Sequence, residues 1–438
     1  MNSSKSTSAV VLGGGISGLF ATRVLAEHYD TVTLVDRDHL TGPNLLRRGL
    51  PQGHHLHGLL ARGQEITEEH FPGITDQMVA DGSAIGDASN DVRWIIAGKP
   101  LVQTDSGLTC LTASRPFFES HIRDRVLALP NVVLSEQTDI SRLDVSEDGK
   151  RVQGVWVFPE GKHETLLPAD LVVDASGRGS RLSVWLDDLG YGKVPEEKHK
   201  IGMGYATRYY EIPDEAFEGN ISVNTVASPE VPRGCICQKI DGGRAIVTAY
   251  GILGDHPPTD PEGYLDFIKS LAAPDIYNIL QQAKPLNDPV AYKFPTNLRR
   301  HYELMSDLPS GILAIGDGVA SFNPSYAQGM TVAALGSVVL RDHVAGGGPV
   351  DTLAYFKDLA QNAVDGCWDV AVSNDLAFPG VEGERTPEIT ETHEFIAKVQ
   401  DAAAVDAEVS RAFQRVIGLA DHYTVLHEPH LEAKILGA

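Results

Sequence analysis

The chain has 438 residues, 42% of them hydrophobic and 22% charged, which is the composition of an ordinary globular protein. That length exceeds what one hydrophobic core usually organises, so at least two lobes are expected. Lys plus Arg number 36 against 59 Asp plus Glu, a formal net charge of −23, and such a surface argues against nucleic-acid binding and against docking by charge on an anionic membrane.

The chain begins MNSSKSTS and runs directly into an apolar strand broken by glycines. That pattern is not a signal peptide, and no run is long and apolar enough to span a bilayer. The expected location is therefore the cytoplasm. The four cysteines, Cys110, Cys235, Cys237 and Cys367, form no C-x-x-C pair, and buried free thiols in a reducing compartment are expected.

Residues 9–12 (AVVL) read as a buried parallel strand. Gly13 to Gly18 follow, and then Ile16, Leu19, Phe20 and Val24 recur at helical spacing. Residues 31–35 (TVTLV) are a second strand, ended by Asp36, which completes a strand–helix–strand unit. A loop is expected over 42–58, a helix over 115–129 after a Ser114 cap, and strands at 131–135, 151–158 and 170–174. A lobe boundary falls in the charged segment 186–200. Strands follow at 203–211, 235–240 and 244–251, with IDGGRA as a hairpin signal. Residues 260–283 read as one helix, 311–317 as a buried strand, and the chain after 350 as mostly helical.

The first chemical motif is Gly13-x-Gly15-x-x-Gly18. Gly13 permits the tight turn, Gly15 lets the backbone approach a pyrophosphate, and Gly18 lets helix and strand pack closely. The helix N-terminus offers free N–H groups and a positive dipole end to phosphates. Asp36 can accept from ribose hydroxyls and disfavours a 2′-phosphate, which leaves FAD or NAD rather than NADP. Bare glycine patterns are weak evidence; here the strand–turn–helix–strand context supports the motif.

Residues 311–336, GILAIGDGVASFNPSYAQGMTVAALG, place a strand, then Gly316-Asp317, then a helix starting near Gln328-Gly329. This resembles the second flavin-binding signature of the p-hydroxybenzoate-hydroxylase-like FAD monooxygenases. The resemblance implies that Asp317 binds the ribityl chain and that Gly329-Met330 faces the N1–C2=O edge of the flavin. A helix N-terminus there stabilises the anionic reduced ring. Residues 170–181, DLVVDASGRGSR, resemble the family's Asp-Gly segment, with Asp174 at the strand end. Arg115 matches a family arginine near the FAD phosphate and ribityl groups.

Arg47-x-Gly49-x-Pro51-Gln52-x-x-His55-x-His57 is similar to the FAD-dependent epoxidases of polyether biosynthesis, of the lasalocid and monensin type. That likeness continues in YATR (205–208), FNPSYAQGM (322–330), Trp368, Asp375 and Pro379-Gly380, and so covers nearly the whole chain. Two departures stand out: Ala327 where the family usually has Gly, and Gly318 where it usually has Ala. Ala327 is expected to narrow the space beside the isoalloxazine.

Together these imply an α/β fold: a Rossmann-type, glutathione-reductase-like FAD-binding domain with a β-sheet substrate domain and C-terminal helices. The expected division is 1–75, 110–185 and 300–345 for FAD, 76–109 and 186–299 for substrate, and 346–438 for the helical region. Cofactor contacts are expected from Gly13, Gly15, Ile16, Ser17, Gly18, Asp36, Arg37, Arg47, Gln52, Arg115, Asp174, Asp317, Pro324, Gly329 and Met330. Catalytic candidates are His55, His57, Asn323 and Tyr326, chosen because they flank flavin motifs. The cluster His54, His55 and His57 lacks Asp, Glu or Cys at ligand spacing, so no metal is expected.

The resemblance implies a monooxygenase, an epoxidase or hydroxylase, that transfers oxygen from a flavin C4a-hydroperoxide to a lipophilic natural-product intermediate. O₂ is the co-substrate. NAD(P)H is the transient donor, directly or through a separate flavin reductase, since Gly346-Gly347-Gly348 follows a helix and reads as a turn rather than a second dinucleotide site. The alternatives are a flavin halogenase, whose W-x-W-x-I-P signature is missing at Trp94-Ile95-Ile96, and a cyclase that keeps FAD as a structural element.

Overall fold

The computed structural model describes residues 7–42 and 46–437. The first six residues of the N-terminal stretch and residues 43–45 of the expected 42–58 loop lie outside the described residues.

Strand β1 (Ser8–Leu12) leads into helix α1 (Ile16–Leu25) and strand β2 (Thr31–Val35). Helix α2 (Arg115–Leu127), strand β3 (Val132–Ser135) and strand β4 (Leu171–Asp174) follow. The next long strands are β5 (Glu196–Glu211), β6 (Arg233–Ile240), β7 (Arg244–Gly251) and β8 (Val290–Arg300). Strand β9 (Ile312–Ala314), helix α3 (Gly329–Val344) and helix α4 (Asp365–Leu376) complete the framework used below.

A five-stranded parallel sheet has the order β9-β4-β1-β2-β3. Its central strands are apolar on both faces, as a sheet covered on both sides requires; Val10, Val11 and Leu12 are at most 2% exposed. Helix α1 packs Leu19, Phe20 and Leu25 against it with no exposed area, and each such burial contributes about 1.5–3 kcal/mol. Parallel pairing places the carboxyl ends of β1, β2, β4 and β9 along a single edge. In open α/β sheets that edge is where ligands bind.

A nine-stranded sheet forms a second layer, with β8, β5, β7 and β6 adjacent in that order. The β6–β7 hairpin turns through Asp241–Gly243, where Gly242 and Gly243 have φ of 71° and 65°, as the IDGGRA segment predicts. The single helix expected over 260–283 is two, Pro261–Lys269 and Asp275–Leu280. The first ends at Lys269, four residues are non-helical, and Pro274, which has no N–H to offer a preceding turn, stands as the N-cap of the second. The charged segment 186–200 already carries β5 from Glu196 onward. The C-terminal helices bury Val399, Ala402, Val409 and Phe413 against Ile96 and Leu101. Among the described residues, no helix is long and apolar enough to cross a membrane.

Candidate functional site

The glycines of the first turn differ in what they permit. Gly13 has φ of +104°, and a Cβ there would lie 2.5 Å from the carbonyl oxygen of Ala175 at the end of β4. A Cβ on Gly18 would lie 1.8 Å from the Gly13 carbonyl oxygen, so α1 can start only by crossing the turn at a glycine. Gly15 is different: its φ is −78°, and a Cβ would meet nothing within 4 Å. It N-caps α1 with no side-chain hydrogen bond to the first helical N–H groups. The open space therefore lies at a positive helix terminus whose donors have no side-chain partner, which is an anion site by construction. Ile16 is buried, while Ser17 packs against Gly316, where a Cβ would fall 2.1 Å from its Oγ. Ser17 thus joins the first motif to the second.

Asp36 ends β2 with one carboxylate oxygen accepting from Gly14 N–H at 2.6 Å and from Arg47 at 3.1 Å, and the other accepting from Asp38 N–H at 2.8 Å. Arg47 also donates to Glu119 at 2.6 Å and to the Gly14 carbonyl at 3.1 Å. Glu119 is shared with Arg115 at 3.1 Å and Arg123 at 4.0 Å. All of these side chains are nearly inaccessible. The Nε atoms of Arg47 and Arg123 are buried without a partner. The guanidiniums of Arg47, Arg115 and Arg123 thus cluster around Glu119 beneath the glycine turn, with Asp36 on Arg47 and the buried Asp317 drawn to Arg115. Glu119 and Arg123 were not among the residues expected from the sequence. Their signal was the i, i+4 spacing of Arg115, Glu119 and Arg123 along α2. Arg37 is exposed beyond β2, with its guanidinium beside Gly49. Gln52 is half-buried in the short turn Pro51–His54.

At the other end of the edge, β9 gives way to Gly316, with φ of +68°, and then Asp317. Burial pushes the Asp317 carboxyl up, against the opposing pull of Arg115 and Arg178. Arg178 comes from the DASGRGSR segment; it donates to the Ser321 hydroxyl and to the Thr296 carbonyl at 2.7 Å, and stacks 4.9 Å from the Phe294 ring. Arg178 was missed in the sequence because its partners lie more than a hundred residues away. Asp174, fully buried, accepts from the Ser176 backbone and from the hydroxyls of Ser176 and Ser180. Its oxygens hold the turn after β4.

Helix α3 begins at Gly329, which is exposed; a Cβ there would meet nothing within 4 Å, and the first turn carries no side-chain cap. Met330 is buried and Pro324 exposed. The Gln328 Oε1 atom is buried without a partner. Ala327 adopts φ of +55°, a left-handed conformation that costs a non-glycine residue about 1–2 kcal/mol. Its methyl group packs toward Gly58, where a Cβ would lie 2.7 Å away. Asn323 and Tyr326 both donate to Asp375 Oδ1, at 2.7 and 2.8 Å, and Asn297 donates to Oδ2 at 2.6 Å. These two catalytic candidates are thereby committed to α4, and they fasten the loop before α3.

The histidines meet the nine-stranded sheet, hereafter the roof. His54 accepts through its carbonyl from the Tyr209 hydroxyl at 3.1 Å. His55, 1% exposed, lies 2.8 Å from the Thr207 hydroxyl of β5 and packs edge-on to Tyr205 at 4.7 Å, with Tyr292 of β8 at 5.7 Å. His57 approaches the His55 carbonyl at 3.0 Å. Burial, aided by His54, pulls the His55 pKa down to about 4; burial, aided by Arg115, pulls His57 down to about 3. Both rings are neutral at neutral pH. Among the described residues, no group of three or more His, Cys, Asp or Glu could hold a metal ion.

No family model matches the chain. Solved structures with the same architecture include a flavoprotein/dehydrogenase from Cytophaga hutchinsonii, with TM-score 0.71, 14% identity, and coverage of 99% of this chain and 100% of that one. The flavin-dependent halogenase CmlS has TM-score 0.65 and 14% identity over 92% of this chain and 72% of its own. PqsL of Pseudomonas aeruginosa, a probable FAD-dependent monooxygenase, has TM-score 0.61 and 14% identity over 86% of this chain and 99% of its own. The fold is therefore that of the FAD-binding flavoproteins. In sequence, protein Rv3254 of Mycobacterium tuberculosis (strain ATCC 25618 / H37Rv) is 34% identical over 343 residues, 76% of this chain and 72% of that protein. The chain belongs to the family of protein Rv3254.

Proposed function

We propose that this protein is an FAD-dependent oxidoreductase, and specifically a monooxygenase acting on a lipophilic, low-charge substrate. One observation carries the reading: the Gly13–Gly18 turn and the Gly316-Asp317 turn, each followed by a helix with an uncapped N-terminus, open on the same edge of one parallel sheet. Asp36 and Asp317 stand three strands apart on that edge, about 14 Å at roughly 4.8 Å per strand. Only an extended ligand reaches both.

The residues fit FAD. The open space at Gly15 with the guanidiniums beneath it suits the diphosphate, Asp36 the adenosine ribose, Asp317 the ribityl hydroxyls, and the α3 N-terminus the ring edge. When bound, the flavin supplies two-electron redox chemistry and oxygen activation. The chain's own part is to orient and to keep water out. Tyr205, Tyr292 and Phe294 of the roof sheet are buried or half-buried, and the neutral His55 and His57 add polarity without charge. A nicotinamide donor, used directly or through a flavin reductase, and an epoxide or hydroxylated product remain parts of the proposal.

The halogenase alternative gains nothing from Trp94, whose indole N–H is spent on the Ala88 carbonyl at 2.9 Å in an outer strand of the roof. The test is a visible spectrum of the purified protein, then anaerobic reduction with NADH or NADPH and product analysis with and without O₂. Flavin uptake and O₂-dependent product are expected. A folded protein that takes up no flavin would sink the reading, turnover without O₂ would favour a cyclase, and halide-dependent turnover a halogenase.

A further inference from the structure

The hydrogen bonds around His55 and His57 set their ring protons in opposite senses. His57 Nδ1 lies 3.0 Å from the His55 carbonyl oxygen. A carbonyl only accepts, so Nδ1 carries the hydrogen and Nε2 is a bare acceptor in the neutral ring. His55 Nδ1 lies 2.8 Å from Thr207 Oγ1, which lies 2.7 Å from Thr248 Oγ1. The two threonines face each other in register across β5 and β7. Leu56 N–H donates to Thr248 Oγ1 at 3.4 Å.

Neither hydroxyl has another partner among the described residues. Run from Leu56 through Thr248 and Thr207 to His55, the chain gives every donor an acceptor. Run the other way, it strands the Thr248 hydroxyl hydrogen in a buried site, an arrangement proteins avoid. His55 Nδ1 is therefore the acceptor, and its ring hydrogen sits on Nε2. Among the described residues neither Nε2 atom is hydrogen-bonded. The titratable neighbours are His54, Tyr205 and Tyr292 around His55, and Arg115 at His57.

We propose that His55 and His57 present one uncharged donor and one uncharged acceptor to a substrate bearing a neutral hydroxyl group, with Thr207 and Thr248 as positioning residues that select the His55 tautomer. A hydroxyl both accepts and donates, so it uses both rings; a carboxylate meets no positive charge from either. The proposal rests on the flavin reading, because the flavin is what brings substrate to this loop.

Histidine-selective ¹⁵N NMR of the flavin-loaded protein at neutral pH tests it. The expected pattern is Nε2–H for His55 and Nδ1–H for His57. Thr207→Val is expected to let His55 populate both tautomers while His57 is unmoved. As probes, 1-naphthol is expected to shift both Nε2 resonances, and 1-naphthoate to bind at least tenfold more weakly. An Nδ1–H ring at His55, a cationic ring at either position, an unaltered His55 in Thr207→Val, or naphthoate matching naphthol overturns the proposal. Should the variant not fold, the wild-type tautomers decide. Flavin colour is read separately: a colourless protein with these tautomers sinks the flavin reading and the substrate contact that rests on it, whereas a yellow protein with other tautomers sinks this proposal alone.

Discussion

The glycine-turn edge of the parallel sheet and the nine-stranded roof both bury polar groups, but by opposite means. Beneath the glycine turn, Asp36, Arg47, Arg115, Glu119 and Arg123 are charged and paired. At the roof, His55 is satisfied by neutral hydroxyls, and Asp375 by two amides and a phenol. Buried charge is tolerated where a ligand of opposite sign completes the balance. Neutral hydrogen bonds keep a pocket dry without adding a field that a lipophilic substrate would have to displace. The proposed flavin site would thus hold a polyanionic cofactor at the charged end and an apolar reactant at the neutral one.

The sharpest way to break this contrast is at Glu119. Glu119→Ala removes the carboxylate that three buried guanidiniums share, and removing one partner of a buried pair costs about 3–5 kcal/mol. Denaturant unfolding should show that loss. Asp375→Asn, which swaps a carboxylate acceptor for an amide among neutral donors, should cost about 1–3 kcal/mol by the same measurement. Equal losses at the two sites would abolish the distinction.

Acid distinguishes the ends next. The folded pKa of His55, about 4, lies below its ordinary 6.5. The unfolded chain therefore binds the extra proton between those values, so stability is complete above about pH 6.5 and falls as pH drops toward 4. His55→Asn should flatten that slope by up to about 1.4 kcal/mol per pH unit, read from unfolding free energies across the range.

The glycine turn sharpens the comparison at a smaller scale. Gly18→Ala drives a methyl group into the Gly13 carbonyl and should cost about 1–3 kcal/mol. Gly15→Val meets only open space. It should leave unfolding within about 0.5 kcal/mol of wild type while sharply lowering FAD occupancy, measured by absorbance after gel filtration. Asp317→Ala should likewise release flavin without loss of the fold, since its carboxyl is held above its ordinary pKa by burial.

Legibility followed range. The β1–α1–β2 unit, its three glycines and Asp36 lie within about thirty residues, and their spacing follows from local geometry. The β9–Asp317–α3 segment reads the same way. The expected helix over 260–283 breaks between Lys269 and Asp275, ahead of Pro274, a local signal that the apolar periodicity outweighed.

Asn323 and Tyr326 lay beside a flavin motif in the chain, yet their side chains bond Asp375 of α4, some fifty residues on. The His55–Thr207–Thr248 chain depends on the register of β5 against β7 and on the distant His55 loop meeting them. Backbone turns and helix termini are written in consecutive residues, because their geometry is made by neighbours. A buried hydrogen bond between distant side chains is made by packing, so it appears only in the tertiary structure.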